Sequence, residues 1–117
     1  MPKKILVADD DKAMLSLYSR VLAQTDYRVS PALSFVEAAR LLREDSYDLL
    51  ITDYMFPDGV GTDLIRLFSE SCKNAKSLLV TGSACAKDRP ECGCEYAYIE
   101  KPFKVEELLT AVKKALG

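Results

Sequence analysis

Apolar residues along this chain alternate between short unbroken runs and longer stretches of helical period. Ile5 to Ala8 is a run of four that ends at three acids, Asp9-Asp10-Asp11, and so predicts a buried strand with carboxylates where it stops. Met14, Leu17, Tyr18, Val21 and Leu22 then recur at i, i+3, i+4, i+7 and i+8, one face of a helix. Tyr27 to Ala32 predicts a second strand. Ser34-Phe35-Val36-Glu37 has the form of a capping box, with Ser34 placed to accept from the Glu37 amide, and Ala38, Leu41 and Leu42 continue the apolar face of a second helix. Leu49-Leu50-Ile51-Thr52-Asp53 repeats the opening junction, an apolar run closed by an acid. Pro57-Asp58-Gly59 supplies turn chemistry before a helix from about Gly61 to Ser71. Leu78 to Thr81 and Tyr96 to Ile99 predict a fourth and a fifth strand, and Val105, Leu108, Leu109, Val112 and Leu116 predict a last amphipathic helix.

Five strands alternating with helices predict parallel pairing through right-handed crossovers, a doubly wound α/β sandwich. Ligands of such sheets bind at the carboxyl ends of the strands. That rule gathers Asp9, Asp10, Asp53, Thr81 and Lys101 into one crevice. Clustered carboxylates repel unless a cation or proton compensates them, which points to a hard-metal or phosphate-handling site. The residues alone also allow a solvated acidic turn in which Asp10 or Asp11 caps the following helix.

Length and composition narrow the classes. The 117 residues suit one domain, 1–117, with a core that needs no staple. A net charge of -2 gives no basic surplus for direct nucleic acid binding. Nothing near Met1 resembles a signal peptide, and no apolar stretch approaches membrane-spanning length, so the expectation is a cytoplasmic protein without membrane attachment. The four cysteines, Cys72, Cys85, Cys92 and Cys94, are then expected as reduced thiols. Cys85, Cys92 and Cys94 could hold a soft metal, but they lack Cys-x-x-Cys spacing. With no histidine in the chain, His-based triads, His-ligated metals and a phosphohistidine carrier are excluded.

Taken in order, Ile5-Leu6-Val7-Ala8-Asp9-Asp10, Leu50-Ile51-Thr52-Asp53 with Pro57 and Gly61, Val80-Thr81-Gly82, and Tyr98-Ile99-Glu100-Lys101-Pro102-Phe103 resemble the receiver domain of bacterial two-component response regulators. The resemblance runs over essentially the whole chain. It implies a flavodoxin-like sheet of order 2-1-3-4-5 and a phosphorylation-activated switch. Carried over by position, Asp53 is the expected phosphoacceptor, and the donor is a sensor histidine kinase or phosphotransfer protein. Mg2+ is the expected cofactor, held by Asp10, Asp53, the Met55 carbonyl, and Asp9 directly or through water. Lys101 is expected to pair with the acceptor carboxylate and then with a phosphoryl oxygen, across a cis bond to Pro102. Thr81 is expected to donate its hydroxyl to the phosphoryl group, with Gly82 leaving space for the donor.

By residue type alone Tyr98 is an edge-strand aromatic; the resemblance makes Thr81 and Tyr98 a coupled switch acting on the face of the fourth helix, fifth strand and fifth helix. Such a switch requires phosphorylation to favour one of two conformers. An output partner or fused output domain would read it. From Ser83 to Glu95 the pattern departs, since Pro90 and Gly93 interrupt what the family makes a helix, so a short or irregular fourth helix is expected. Two competing readings are a haloacid-dehalogenase-like phosphohydrolase, in which Asp9-x-Asp11 supplies nucleophile and acid, and an unphosphorylated pseudo-receiver scaffold.

Overall fold

A computed structural model of the chain describes residues 2–82 and 96–117. Their elements are β1 (Lys4–Ala8), α1 (Lys12–Leu22), β2 (Arg28–Ala32), α2 (Phe35–Glu44), β3 (Leu49–Asp53), β4 (Met55–Phe56), β5 (Gly59–Val60), α3 (Gly61–Ser71), β6 (Lys76–Thr81), β7 (Ala97–Glu100) and α4 (Val105–Leu116). The five longer strands form one parallel sheet in the order β2-β1-β3-β6-β7. This is the expected 2-1-3-4-5 arrangement. The expected irregular fourth helix, Pro90, Cys85, Cys92 and Cys94 lie outside the described residues.

Both faces of the sheet are covered, which is why its central strands read as continuous apolar runs. Ile5, Val7, Leu49, Ile51, Leu78, Val80 and Ile99 point to the side of α1 and α4, where they pack with Tyr18, Leu22, Leu108 and Val112. Leu6, Ala8, Leu50 and Leu79 point the other way, onto Ala38, Leu42, Leu64, Ile65 and Phe68 of α2 and α3. The alternation is the strand period of two.

The helix starts follow the local sequence. The Asp11 carboxylate accepts from the Ala13 amide at 2.9 Å and caps α1. The Ser34 hydroxyl accepts from the Glu37 amide at 3.1 Å, as expected, while the Glu37 carboxylate accepts from the Leu33 amide at 2.8 Å. The expected face of α1 packs on the core and gains Leu15 at its edge. Its buried residues are Leu15, Tyr18, Val21 and Leu22, and Met14 and Leu17 lie on its flanks. Apolar residues on α1 span a broad arc, and packing against the sheet and α4 decides that Leu15 is buried with the rest.

The sequence also gave no strand signal between Asp53 and Gly61. There, β4 and β5 pair antiparallel, Met55 with Val60 and Phe56 with Gly59, across the expected Pro57-Asp58 turn. This small ribbon leads from the end of β3 into α3.

Candidate phosphorylation site

The carboxyl ends of β1 and β3 bring Asp9, Asp10 and Asp53 together, with one carboxylate oxygen from each lying within 4.8 Å of the others. Asp9 follows β1 and is anchored by its backbone, whose amide donates to the Ala32 carbonyl at 3.0 Å. Its side chain is only 1% exposed and accepts from the Asp11 amide at 2.9 Å. Asp53 ends β3, its side chain is 18% exposed, and it accepts from the Tyr54 amide at 2.9 Å. Asp10 is exposed. The three acids thus offer a buried, a half-buried and an open carboxylate at one point.

Lys101 closes the group from the far side. Its Nζ lies 3.3 Å from Asp9 Oδ2 and 3.7 Å from Asp53 Oδ1. Its backbone amide donates to the Thr81 carbonyl at 2.7 Å, which extends the β6–β7 pairing by one step and fixes where the side chain departs. The Lys101-Pro102 bond is cis, as expected. Thr81 ends β6 and is buried beside this junction. Among the described residues, a Cβ on Gly82 would meet the Lys101 side chain, at 3.5 Å and 3.9 Å, an ordinary contact. Met55 lies two residues beyond Asp53, on β4, with its side chain turned outward. Tyr98 is half-buried on β7, in register with Leu79.

Burial raises the carboxyl of Asp9 above the usual range, opposed by the Asp11 amide and the Lys101 charge. Burial also raises Asp53; Lys101 opposes it, and the charges of Asp9 and Asp10 add to it. Among the described residues, one ammonium, paired with Asp9 and Asp53, stands at a group of three carboxylates and leaves it short of positive charge.

Two residues that the sequence placed only within turn and family patterns, Gly61 and Asp58, shape this site. Gly61 opens α3 directly behind Asp53: a Cβ there would collide with the Asp53 carbonyl oxygen and stand 3.1 Å from the Thr52 hydroxyl. Its amide donates to the Tyr54 carbonyl. The resemblance had marked Gly61 only as part of a pattern, without this reason. Asp58, in the ribbon turn, accepts from the Phe35 and Val36 amides, each at 3.1 Å, and so ties the ribbon to the start of α2. Gly59 lies against the Phe35 ring so closely that a Cβ there would enter it. Only the turn residues around Asp58 hinted at this, since its partners lie more than twenty positions away in sequence.

The protein-family model of the response regulator receiver domain matches residues 5–113. The chain belongs to this family. It is 28% identical over 116 residues to the response regulator receiver protein CpdR of Brucella abortus (strain 2308), covering 97% of each chain. It is 31% identical to the response regulator MprA of Mycobacterium sp. (strain KMS), covering 99% of this chain but 51% of that one. Among solved structures, the beryllofluoride-activated receiver domain of DrrB superposes with a TM-score of 0.84 at 32% identity, over 99% of this chain and 98% of that one. The chain therefore corresponds to the whole of some relatives and to about half of others.

As a receiver domain, the chain is a phosphorylation-activated signalling switch of the two-component type. Receiver domains bind Mg2+ at an acidic pocket and interact with histidine kinases or phosphotransfer proteins and with output domains. They are generally switches rather than catalysts. Among the described residues, no helix is long and apolar enough to cross a membrane.

Proposed function

We propose that Asp53 accepts the phosphoryl group, with Asp9 and Asp10 serving as its metal-holding neighbours. The observation that carries this is the difference in access: Asp53 is 18% exposed, whereas Asp9 is 1% exposed and engaged by both Lys101 and the Asp11 amide. A nucleophile must reach its phosphorus in line, so the half-open carboxylate is the suitable one. The same burial speaks against a phosphohydrolase built on Asp9.

The donor set fits magnesium, a hard cation that prefers oxygen ligands, because one carboxylate oxygen from each of Asp9, Asp10 and Asp53 lies within 4.8 Å of the others. Asp10, Asp53, the Met55 carbonyl and Asp9, directly or through water, would hold the ion. When bound, it neutralises charge on the transferring phosphoryl group. The chain's own groups do the rest. An Asp53 carboxylate oxygen attacks the donor phosphorus, the P–O bond forms as the donor's P–N bond breaks, and the electron pair leaves with the imidazole, which takes up a proton. Lys101, which holds both Asp9 and Asp53 before transfer, passes to a phosphoryl oxygen. Thr81 donates its hydroxyl to the phosphoryl group, and Tyr98 responds to that movement, altering the surface around β7 and α4.

Because these 117 residues hold no histidine, the phosphohistidine lies outside them, on a sensor kinase or phosphotransfer protein. An output partner or attached output domain reads the altered surface, and the setting is the cytoplasm. Acetyl phosphate with magnesium, followed by mass spectrometry of peptides, should place the acyl phosphate on Asp53. A label on Asp9 overturns the assignment. Tyr98→Ala should abolish phosphorylation-dependent partner binding; unchanged binding removes Tyr98 from the switch.

A further inference from the structure

Tyr18 sits on the buried face of α1 with 1% of its surface exposed, yet among the described residues its hydroxyl has no hydrogen-bond partner. A buried, unpaired donor is costly, and the great majority of such groups find a partner. Its ring stacks on Phe103, with centroids 6.4 Å apart and planes 19° from parallel. Phe103 is two residues beyond Lys101, whose ammonium lies between Asp9 and Asp53. A short covalent link therefore connects the aromatic stack to the one cation at the acidic centre among the described residues.

The hydroxyl also feels that centre. Burial raises its pKa first, and the charges of Asp9 and Asp53 raise it further.

We propose that Tyr18 is a positioning residue of the switch: its ring holds the Lys101-Pro102-Phe103 segment in place, and its hydroxyl takes up a hydrogen bond only when Asp53 is phosphorylated. This rests on Asp53 as the acceptor. When Lys101 turns to the phosphoryl group, its hold on Asp9 loosens and Phe103 shifts with it, which frees the hydroxyl to turn to the carboxylate side. The unpaired hydroxyl thus disfavours the unmodified conformer, and its pairing favours the phosphorylated one. A ligand or modification moves a two-state equilibrium only through such a differential interaction.

Tyr18→Phe tests this because it keeps the stacked ring and deletes only the hydroxyl. Beryllofluoride with magnesium serves as the phosphoryl mimic, read by the NMR signals of the wild type, Tyr18→Phe and Asp53→Asn. The wild type should bind and Asp53→Asn should not; if the wild type fails to bind, the reading of Asp53 fails first. Given binding, Tyr18→Phe should melt higher without the mimic yet bind it about five-fold more weakly, the loss expected for one hydrogen bond. A purely structural hydroxyl would change the melting temperature and leave the affinity alone. Equal affinity in Tyr18→Phe and the wild type overturns the proposal. Tyr18→Leu, which removes the ring, should additionally shift the Lys101 Nζ resonance; an unchanged resonance overturns the positioning role of the ring.

Discussion

The two helical layers that flank the sheet reach the acidic centre by different means. On the α2/α3 side the connections are tight: Gly61 abuts the Asp53 carbonyl, Gly59 abuts the Phe35 ring, and Asp58 takes two amides of α2. On the α1/α4 side they are loose. Lys101 stands at 3.3 Å and 3.7 Å from its two carboxylates, longer than good charge-assisted hydrogen bonds, and Tyr18, stacked on Phe103, leaves a hydroxyl unpaired among the described residues. A phosphoacceptor needs both properties. Its backbone must be fixed for in-line attack, while the cation that follows the phosphoryl group must be able to move.

The largest way to break this contrast is to add one methyl group on each side. Gly61→Ala forces a Cβ into the Asp53 carbonyl, and the helix start cannot retreat without losing its contact with β3. It should lower stability by about 3 kcal/mol in urea unfolding, the upper part of the overpacking range. Gly82→Ala meets, among the described residues, the Lys101 side chain at ordinary distance and should stay within about 0.5 kcal/mol. Equal costs at the two positions would mean that the two sides are equally rigid.

A second test acts on the loose side. Lys101→Ala removes the charge that opposes the rise of both Asp9 and Asp53, so both carboxyls should titrate still higher in a carbon-detected NMR titration of the metal-free chain. Phosphorylation by acetyl phosphate should slow by about 100-fold, the scale for losing one preorganised partner of the transferring charge. A mutant that still phosphorylates at the wild-type rate would make Lys101 a structural cation only.

The contrast also marks what could be read from the sequence. Strands β1, β3 and β6 were legible because runs buried on both faces leave little else for them to be, and the acids at their ends followed from the rule for parallel sheets. The grouping of Asp9, Asp10, Asp53 and Lys101 was legible for the same reason. The full width of the α1 face was not, because Leu15 lies beside the helical spacing of Met14, Leu17, Tyr18, Val21 and Leu22, and only packing decides that it is buried. The β4–β5 ribbon was hidden because strands of two residues have no period. The constraint on Gly61 was hidden because it concerns a backbone atom of β3, which no side-chain pattern records. Tyr18 read as one more apolar position, since a helix period counts the ring and ignores the hydroxyl.

The smallest expected effect concerns Asp58, the exposed clamp of the tight side. Its carboxyl is held below the usual range chiefly by the Val36 amide, with the Phe35 amide adding to it at the positive end of α2. A carboxyl whose folded pKa is depressed binds its proton less readily in the folded chain than in the unfolded one. Its stabilising contribution is therefore fully present above the unfolded value, about 3.9, and is lost as pH falls through the lowered folded value. Asp58→Asn keeps an acceptor but no charge. Its melting temperature should lie slightly below the wild type from pH 5 to 7, and the gap should close as the pH falls below about 4. Ring-current shifts of Phe35 should change in parallel, because the clamp that seats its ring on Gly59 weakens with the charge. A gap that persists at low pH would show that Asp58 holds α2 by shape rather than by charge, and the tight side would then owe its rigidity to Gly59 and Gly61 alone.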